Sequence, residues 1–260
     1  MPSLLVTNDF PPKVGGIQSY LWELWRRLPP EQVTVLTTPY PGAAAFDAAQ
    51  PFRVVRSRAK VLLPTPALAR DVDALAREVG AGVIFVDPAL PLGALGPRLR
   101  AAPYVAVLHG AEVTVPARLP GSRTVLARVL HGAAGVLAAG PYPLREALRA
   151  ARRPLAALVI PPGVDPVRFH PLTAEERDGA RLALGLPVGA PLVLGVSRLV
   201  PRKGFDVVIA AAARLGGDVH LAIAGGGRDR DRLARRAARA GLGSRFRLLG
   251  RVPDADLADL

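Results

Sequence analysis

Cysteine is absent from this 260-residue chain, so a disulfide framework, a thiolate metal site and a cysteine nucleophile are all excluded. That suits a reducing cytoplasm. Lysine is almost absent too: Lys13, Lys60 and Lys203 are the full set, and the formal charge of +13 therefore rests on arginine. Aromatic residues make up 5% of the chain and the arginines are scattered rather than blocked, which argues against a dedicated nucleic-acid surface. No unbroken apolar run of about 18 residues occurs, so no transmembrane helix is expected. The N-terminus reaches Asp9 too soon to hold a secretory apolar region. Several catalytic signatures are also missing: the G-x-x-x-x-G-K-[ST] loop, the G-x-S-x-G elbow and a histidine pair at zinc spacing.

What is present is a chain that is 50% apolar, enough for a sizeable core and against global disorder. The arginine excess suits anionic partners such as phosphate groups or acidic lipid headgroups, and equally fits a proteome rich in Ala, Arg, Gly and Pro. Short β-branched runs alternate with helical patterns. Strands are expected at Leu4–Thr7, Val33–Thr37, Arg53–Arg56, Val83–Val86, Tyr104–Leu108, Gly135–Ala138 and Leu158–Ile160. Amphipathic segments lie between several of them, at Ile17–Arg27, Ala67–Glu78, Val125–Leu130 and Pro143–Ala150. The alternation predicts right-handed β-α-β units and a mostly parallel sheet, an α/β fold. The turn-rich connector Pro161–Pro166, closed by Pro171, predicts a boundary between a domain at 1–165 and a second at 166–260. Thr173 then caps a new helix, and the rhythm restarts with Leu192–Val196, Phe205–Leu215, His220–Ala224, Asp229–Ala240 and Arg245–Leu248. The second domain reads as incomplete, with Asp254–Leu260 opening a helix that does not finish.

Four motifs carry chemistry. Gly15-Gly16 lies between a strand and a helix, where backbone N–H groups at a helix start can hold a diphosphate. Arg198 and Lys203 sit on a loop leaving strand Leu192–Val196, a planar fork and a mobile point charge at a strand's carboxyl end. His109 closes a buried strand, with Gly110 opening space beside it and Glu112 within reach of the same pocket. Gly225-Gly226-Gly227 again joins strand to helix, but Arg230 stands where a dinucleotide fingerprint needs glycine, and the downstream acid is replaced by Gly250 and Arg251. A nicotinamide or flavin oxidoreductase is disfavoured.

Taken in order, Gly15–Gln18, His109–Glu112, Pro162–Asp165 with Phe169 and Pro171, Ser197–Leu199 with Lys203-Gly204, and Ala224–Gly227 resemble family 4 retaining glycosyltransferases. Among them, Asp9–Pro12, Gly15–Tyr20 and Ser197–Asp206 are most similar to bacterial GDP-mannose-dependent phosphatidylinositol mannoside mannosyltransferases. The resemblance implies the GT-B architecture, two facing Rossmann-like domains with parallel sheets. It implies that Gly15 and Gly16 meet the donor diphosphate, that Arg198 and Lys203 neutralise it, and that His109 contacts the transferred sugar. Glu112, Gly225, Gly226, Gly227, Arg251 and Val252 are further candidates around the donor. No metal and no cofactor is implied, since Arg198 and Lys203 stand in for a divalent ion. The implied partners are a nucleotide-sugar donor, GDP-mannose, and a lipid-linked or glycan acceptor, with a cytoplasmic or peripheral inner-membrane location. Arg58, Lys60 and Val61-Leu62-Leu63 form a basic-apolar stretch suited to an anionic membrane surface, or a plain loop and strand edge. The family's Glu-x₇-Glu element has no match after Lys203. That leaves a non-catalytic fragment as the alternative reading, and an anion-binding module for nucleic acid as a further one.

Overall fold

A computed structural model describes residues 1–215 and 217–260. The chain divides into two compact units, Met1–Gly163 and Val164–Leu260. In the first, seven strands form one parallel sheet: β1 Ser3–Thr7, β2 Val33–Thr37, β3 Arg53–Arg56, β4 Val83–Asp87, β5 Tyr104–Leu108, β6 Gly135–Ala138 and β7 Ala157–Val159, in the order β3-β2-β1-β4-β5-β6-β7. Chain order reverses between β1 and β4, and in open α/β sheets ligands bind outside the strands' carboxyl ends at such a switch point.

Alternation along the strands sorts side chains to two covered faces. Leu4, Val6, Ile84, Val86, Ala106 and Leu108 pack on one side with helices α3 (Pro66–Glu78), α5 (Pro120–Gly132) and α6 (Pro141–Ala151). Leu5, Val35, Val107 and Leu137 pack on the other with Tyr20, Leu21 and Trp25 of α1 (Gly16–Trp25). Helix α2 (Ala43–Ala48) and α4 (Ala111–Arg118) complete this unit's α-helices among the described residues, and neither is among the segments expected from periodicity. The β-branched run Val113-Thr114-Val115 before Pro116 masks α4. Pro120, Gly121 and Ser122 mask the first turn of α5, which starts five residues earlier than its apolar pattern. Leu62, expected in the basic-apolar stretch, is instead a core residue, and its backbone is clamped by the Asn8 amide at 2.7 and 3.0 Å.

The second unit opens with α7 (Ala174–Ala183), held by a capping box in which Thr173 and Glu176 satisfy each other's backbone N–H groups. Strands β8 (Leu192–Val196), β9 (His220–Ala224) and β10 (Phe246–Gly250) form a parallel sheet in the order β10-β9-β8. Helices α8 (Phe205–Arg214) and α9 (Arg230–Arg239) cover it through Phe205, Ile209, Leu233 and Ala237. The segment expected to open a helix at Asp254–Leu260 forms a 3-10 helix, Asp254–Asp259.

Candidate active site

The carboxyl ends of β1, β4 and β5 converge at the switch point of the first unit. Thr7 and Asp87 are register partners on adjacent strands. The Thr7 hydroxyl donates to Asp87 Oδ2 at 2.6 Å, and His109 Nε2 bonds Asp87 Oδ1 at 2.5 Å. Asp87 is fully buried, and the His109 side chain is 9% exposed. Tyr20 of α1 packs edge-on to the imidazole, with ring centroids 5.5 Å apart, and donates its hydroxyl to the Ile160 carbonyl.

Burial on its own pushes the His109 imidazole down. The hydrogen bond and charge of Asp87, followed by the charges of Glu112 and Asp9, outweigh it, so the net direction is upward. Glu112, expected to face a substrate, does something else: its carboxylate turns back to accept the backbone N–H of His109 at 2.5 Å and of Gly110 at 2.8 Å. It thereby fixes the turn that follows β5. A Cβ built on Gly110 would meet nothing within 4 Å, so the space beside His109 is open.

The loop after β1 is tied down at each polar residue. Asp9 N–H donates to Thr7 Oγ1 at 2.8 Å, and Asp9 Oδ1 accepts from Lys13 Nζ at 2.7 Å and Gln18 Nε2 at 2.6 Å. Arg56 grips Asp47 through two nitrogens and also donates to the Pro11 carbonyl. The two glycines that follow differ. A Cβ on Gly15 would collide with Gln18 Oε1, whereas one on Gly16, the first residue of α1, would meet no atom within 4 Å.

In the second unit, Arg198 and Lys203 are exposed on the loop between β8 and α8, and neither meets a carboxylate among the described residues. Leu199, fully buried, anchors this loop from within. Its N–H donates to Gly226 O at 2.9 Å and its carbonyl accepts from Asp229 N–H at 3.1 Å. Gly225 and Gly227 exist for this contact: their φ angles are 143° and 157°, and added Cβ atoms would lie 1.8 Å from Ser197 O and 2.2 Å from Leu199 O. Both glycines thus seat the Arg198 loop by close backbone packing. Gly226 has another neighbour, the exposed Arg251 side chain, and Val252 follows it on the loop after β10. No group of three or more His, Asp or Glu able to hold a metal ion occurs among the described residues.

Asp87, Thr7 and Tyr20 escaped the sequence reading. A usable signal existed for the first: a carboxylate closing an all-apolar central strand has no solvent to turn to, and so must have a partner.

Residues 14–168 match the model of glycosyltransferase family 4, and residues 177–260 that of glycosyl transferases group 1. The chain belongs to glycosyltransferase family 4. It is 39% identical over 269 residues to a GDP-mannose-dependent α-(1-6)-phosphatidylinositol monomannoside mannosyltransferase of Mycolicibacterium smegmatis, an alignment covering 98% of this chain and 68% of the relative. It is 34% identical to the corresponding enzyme for the monoacylated acceptor in Corynebacterium glutamicum, with the same coverage. In fold, this glycosyltransferase is similar to Anabaena HepE in complex with UDP, at TM-score 0.79 and 20% identity, covering all of this chain and 71% of that one. It is also similar to a sucrose-phosphate synthase from Thermosynechococcus elongatus, at TM-score 0.75 and 21% identity, covering 99% and 72%. These likenesses place the fold in the GT-B class. None of its described helices is long and apolar enough to cross a membrane.

Proposed function

We propose that this glycosyltransferase moves mannose from GDP-mannose to a phosphatidylinositol mannoside or a similar lipid-linked acceptor, with retention at the anomeric carbon. The observation that carries the reading is the exposed Arg198–Lys203 loop, cationic, without a carboxylate partner among the described residues and fixed in place by Gly225 and Gly227. Relatives that align with 98% of the chain are GDP-mannose-dependent enzymes, which supports the choice of donor.

In this reading Arg198 and Lys203 of the second unit bind the donor diphosphate. When the bond from the anomeric carbon to the diphosphate oxygen breaks, the electron pair stays on GDP. Fixed cations at that oxygen stabilise the growing charge without reorganisation. His109, held among buried groups, contacts the mannosyl ring. The acceptor hydroxyl oxygen bonds the anomeric carbon, and its proton leaves with the diphosphate. Gly226, Arg251 and Val252 border the base. Exposed Val61 and Leu63, with Arg58 and Lys60, form the surface that meets an anionic membrane.

Calorimetric titration of GDP, UDP and ADP tests the donor side, with Arg198→Ala as control. GDP is expected to bind saturably and to lose ~10-fold or more in the variant, since charge-assisted hydrogen bonds contribute about 1.5–3 kcal/mol. Preference for UDP or ADP would refute the donor assignment, and unchanged GDP affinity in the variant would remove Arg198 from the site.

A further inference from the structure

Full burial of an ionised carboxylate is costly unless donors answer it. Asp87 has two, and each comes from the end of a strand next to its own in the order β1-β4-β5: the Thr7 hydroxyl at 2.6 Å and His109 Nε2 at 2.5 Å. The sheet itself therefore sets this geometry. The bond uses one nitrogen of the imidazole, and no polar atom among the described residues bonds the other, Nδ1.

The groups facing the ring come from four elements. Asp87 on β4 meets Nε2, and Tyr20 on α1 packs edge-on. Glu112 on α4 bonds the amides of His109 and Gly110. Asp9, on the loop after β1, adds a more distant negative charge that is shared with Lys13 and Gln18. With three carboxylates around it and no cation facing it directly, the imidazole is in surroundings that favour its charged form.

We propose that Asp87 is a positioning residue that holds the Nε2–H end of His109, locks the ring against rotation, and presents Nδ1 as the nitrogen open to ligand. The charged ring donates a hydrogen bond from Nδ1 to a sugar oxygen; once deprotonated, it presents a lone pair there instead and the contact changes sign. Thr7, which is donor to Asp87 and acceptor from the Asp9 amide, joins this pair to the loop that carries Gly15 and Gly16. That Nδ1 faces a mannosyl ring rests on the functional reading above; the ring's tautomer and charge do not.

The chain has four histidines and no cysteine, which makes nitrogen-resolved NMR of the imidazoles direct, with His109 assigned through His109→Gln. In the unmodified chain the neutral His109 ring is expected as the Nε2–H tautomer, with a titration midpoint above the ordinary imidazole value. In Asp87→Asn, nearly the same size and uncharged, the His109 midpoint should fall, because the hydrogen bond and charge that raise it are weakened or lost. An Nδ1–H tautomer, or an unmoved midpoint in folded Asp87→Asn, would overturn the proposal; the tautomer decides even if that variant does not fold. Binding gives the second readout. Asp87→Asn is expected to weaken GDP-mannose ~10-fold relative to GDP, and equal losses for both ligands would make Asp87 a general structural residue. A failure of the functional reading would show separately, as absence of GDP-mannose binding to the unmodified chain with the tautomer still resolved.

Discussion

Alanine at Gly225, Gly226 and Gly227 separates packing from ligand contact within three consecutive residues. At Gly225 the new Cβ lies 1.8 Å from the Ser197 carbonyl oxygen, and at Gly227 it lies 2.2 Å from that of Leu199. Both obstacles are backbone, and Leu199 cannot retreat because it is fully buried and bonded on both sides. Steric insertion into a packed site costs about 1–3 kcal/mol, and a side chain forced to φ values of 143° or 157° adds roughly as much again. Gly225→Ala and Gly227→Ala should therefore each lose about 2–6 kcal/mol, a large share of the stability a small unit has. Gly226→Ala meets the Arg251 side chain at 2.9 Å, which can swing aside, and should cost under about 1 kcal/mol. Both tryptophans, Trp22 and Trp25, lie in the first unit, so their fluorescence reports that unit alone. Amide exchange of β8, β9 and α9 against denaturant reads the second. Equal costs at all three positions, or a Gly225→Ala chain as stable as the parent, would refute the packing argument.

Alkaline pH should weaken the first unit selectively. Burial, with the Asp87 charge adding at Tyr20, pushes the Tyr20 and Tyr104 phenols up to about 12. A raised native value means the stabilisation is intact below the unfolded value near 10 and is lost as pH climbs through about 12, at roughly 1.4 kcal/mol per pH unit per tyrosine. Urea midpoints by tryptophan fluorescence at pH 9 and 11 check this, and Tyr104→Phe should halve the slope. Asp73→Ala leaves the buried-side amides of Arg100 and Ala101 without their acceptor and should cost about 2–4 kcal/mol, read as a drop in Tm. Arg198→Ala, at an exposed site, should leave Tm unchanged, within about 0.5 kcal/mol, while GDP affinity falls.

The strands were legible because each carries its burial on its face. Val83–Val86 and Tyr104–Leu108 are apolar on both sides, as central parallel strands must be when helices cover the sheet twice. Thr173 announced its helix because a hydroxyl three residues before a glutamate has a local job that needs no tertiary context. Where the reading failed, the deciding interaction was remote in sequence. Helix α4 forms over a β-branched run because Glu112 and the packing of Val113 override local preference. Gly225 and Gly227 resemble a phosphate loop by spacing, yet their neighbours are Ser197 and Leu199, nearly thirty residues back, and spacing alone carries no record of what a glycine must let past.

Asp87 shows the same limit from the side of chemistry. In sequence it is the polar residue that ends a strand before a proline, and such residues usually turn into solvent. The parallel sheet denies it that exit, because Thr7, its register partner, ends the strand on one side and His109 follows the strand on the other. A histidine alone at this position would be driven neutral by burial, and a carboxylate alone would be driven to hold its proton. Together they satisfy each other and leave one ring nitrogen to spare. Neutralising the carboxylate exposes the logic: Asp87→Asn should leave the fold's shape intact while lowering the His109 midpoint. Glu112→Gln, which keeps an acceptor for the amides of His109 and Gly110, should move that midpoint less, because Glu112 acts on the ring through distance rather than through a bond. Were the two variants to shift it equally, the hydrogen bond from His109 to Asp87 would not be what sets the charge of the ring.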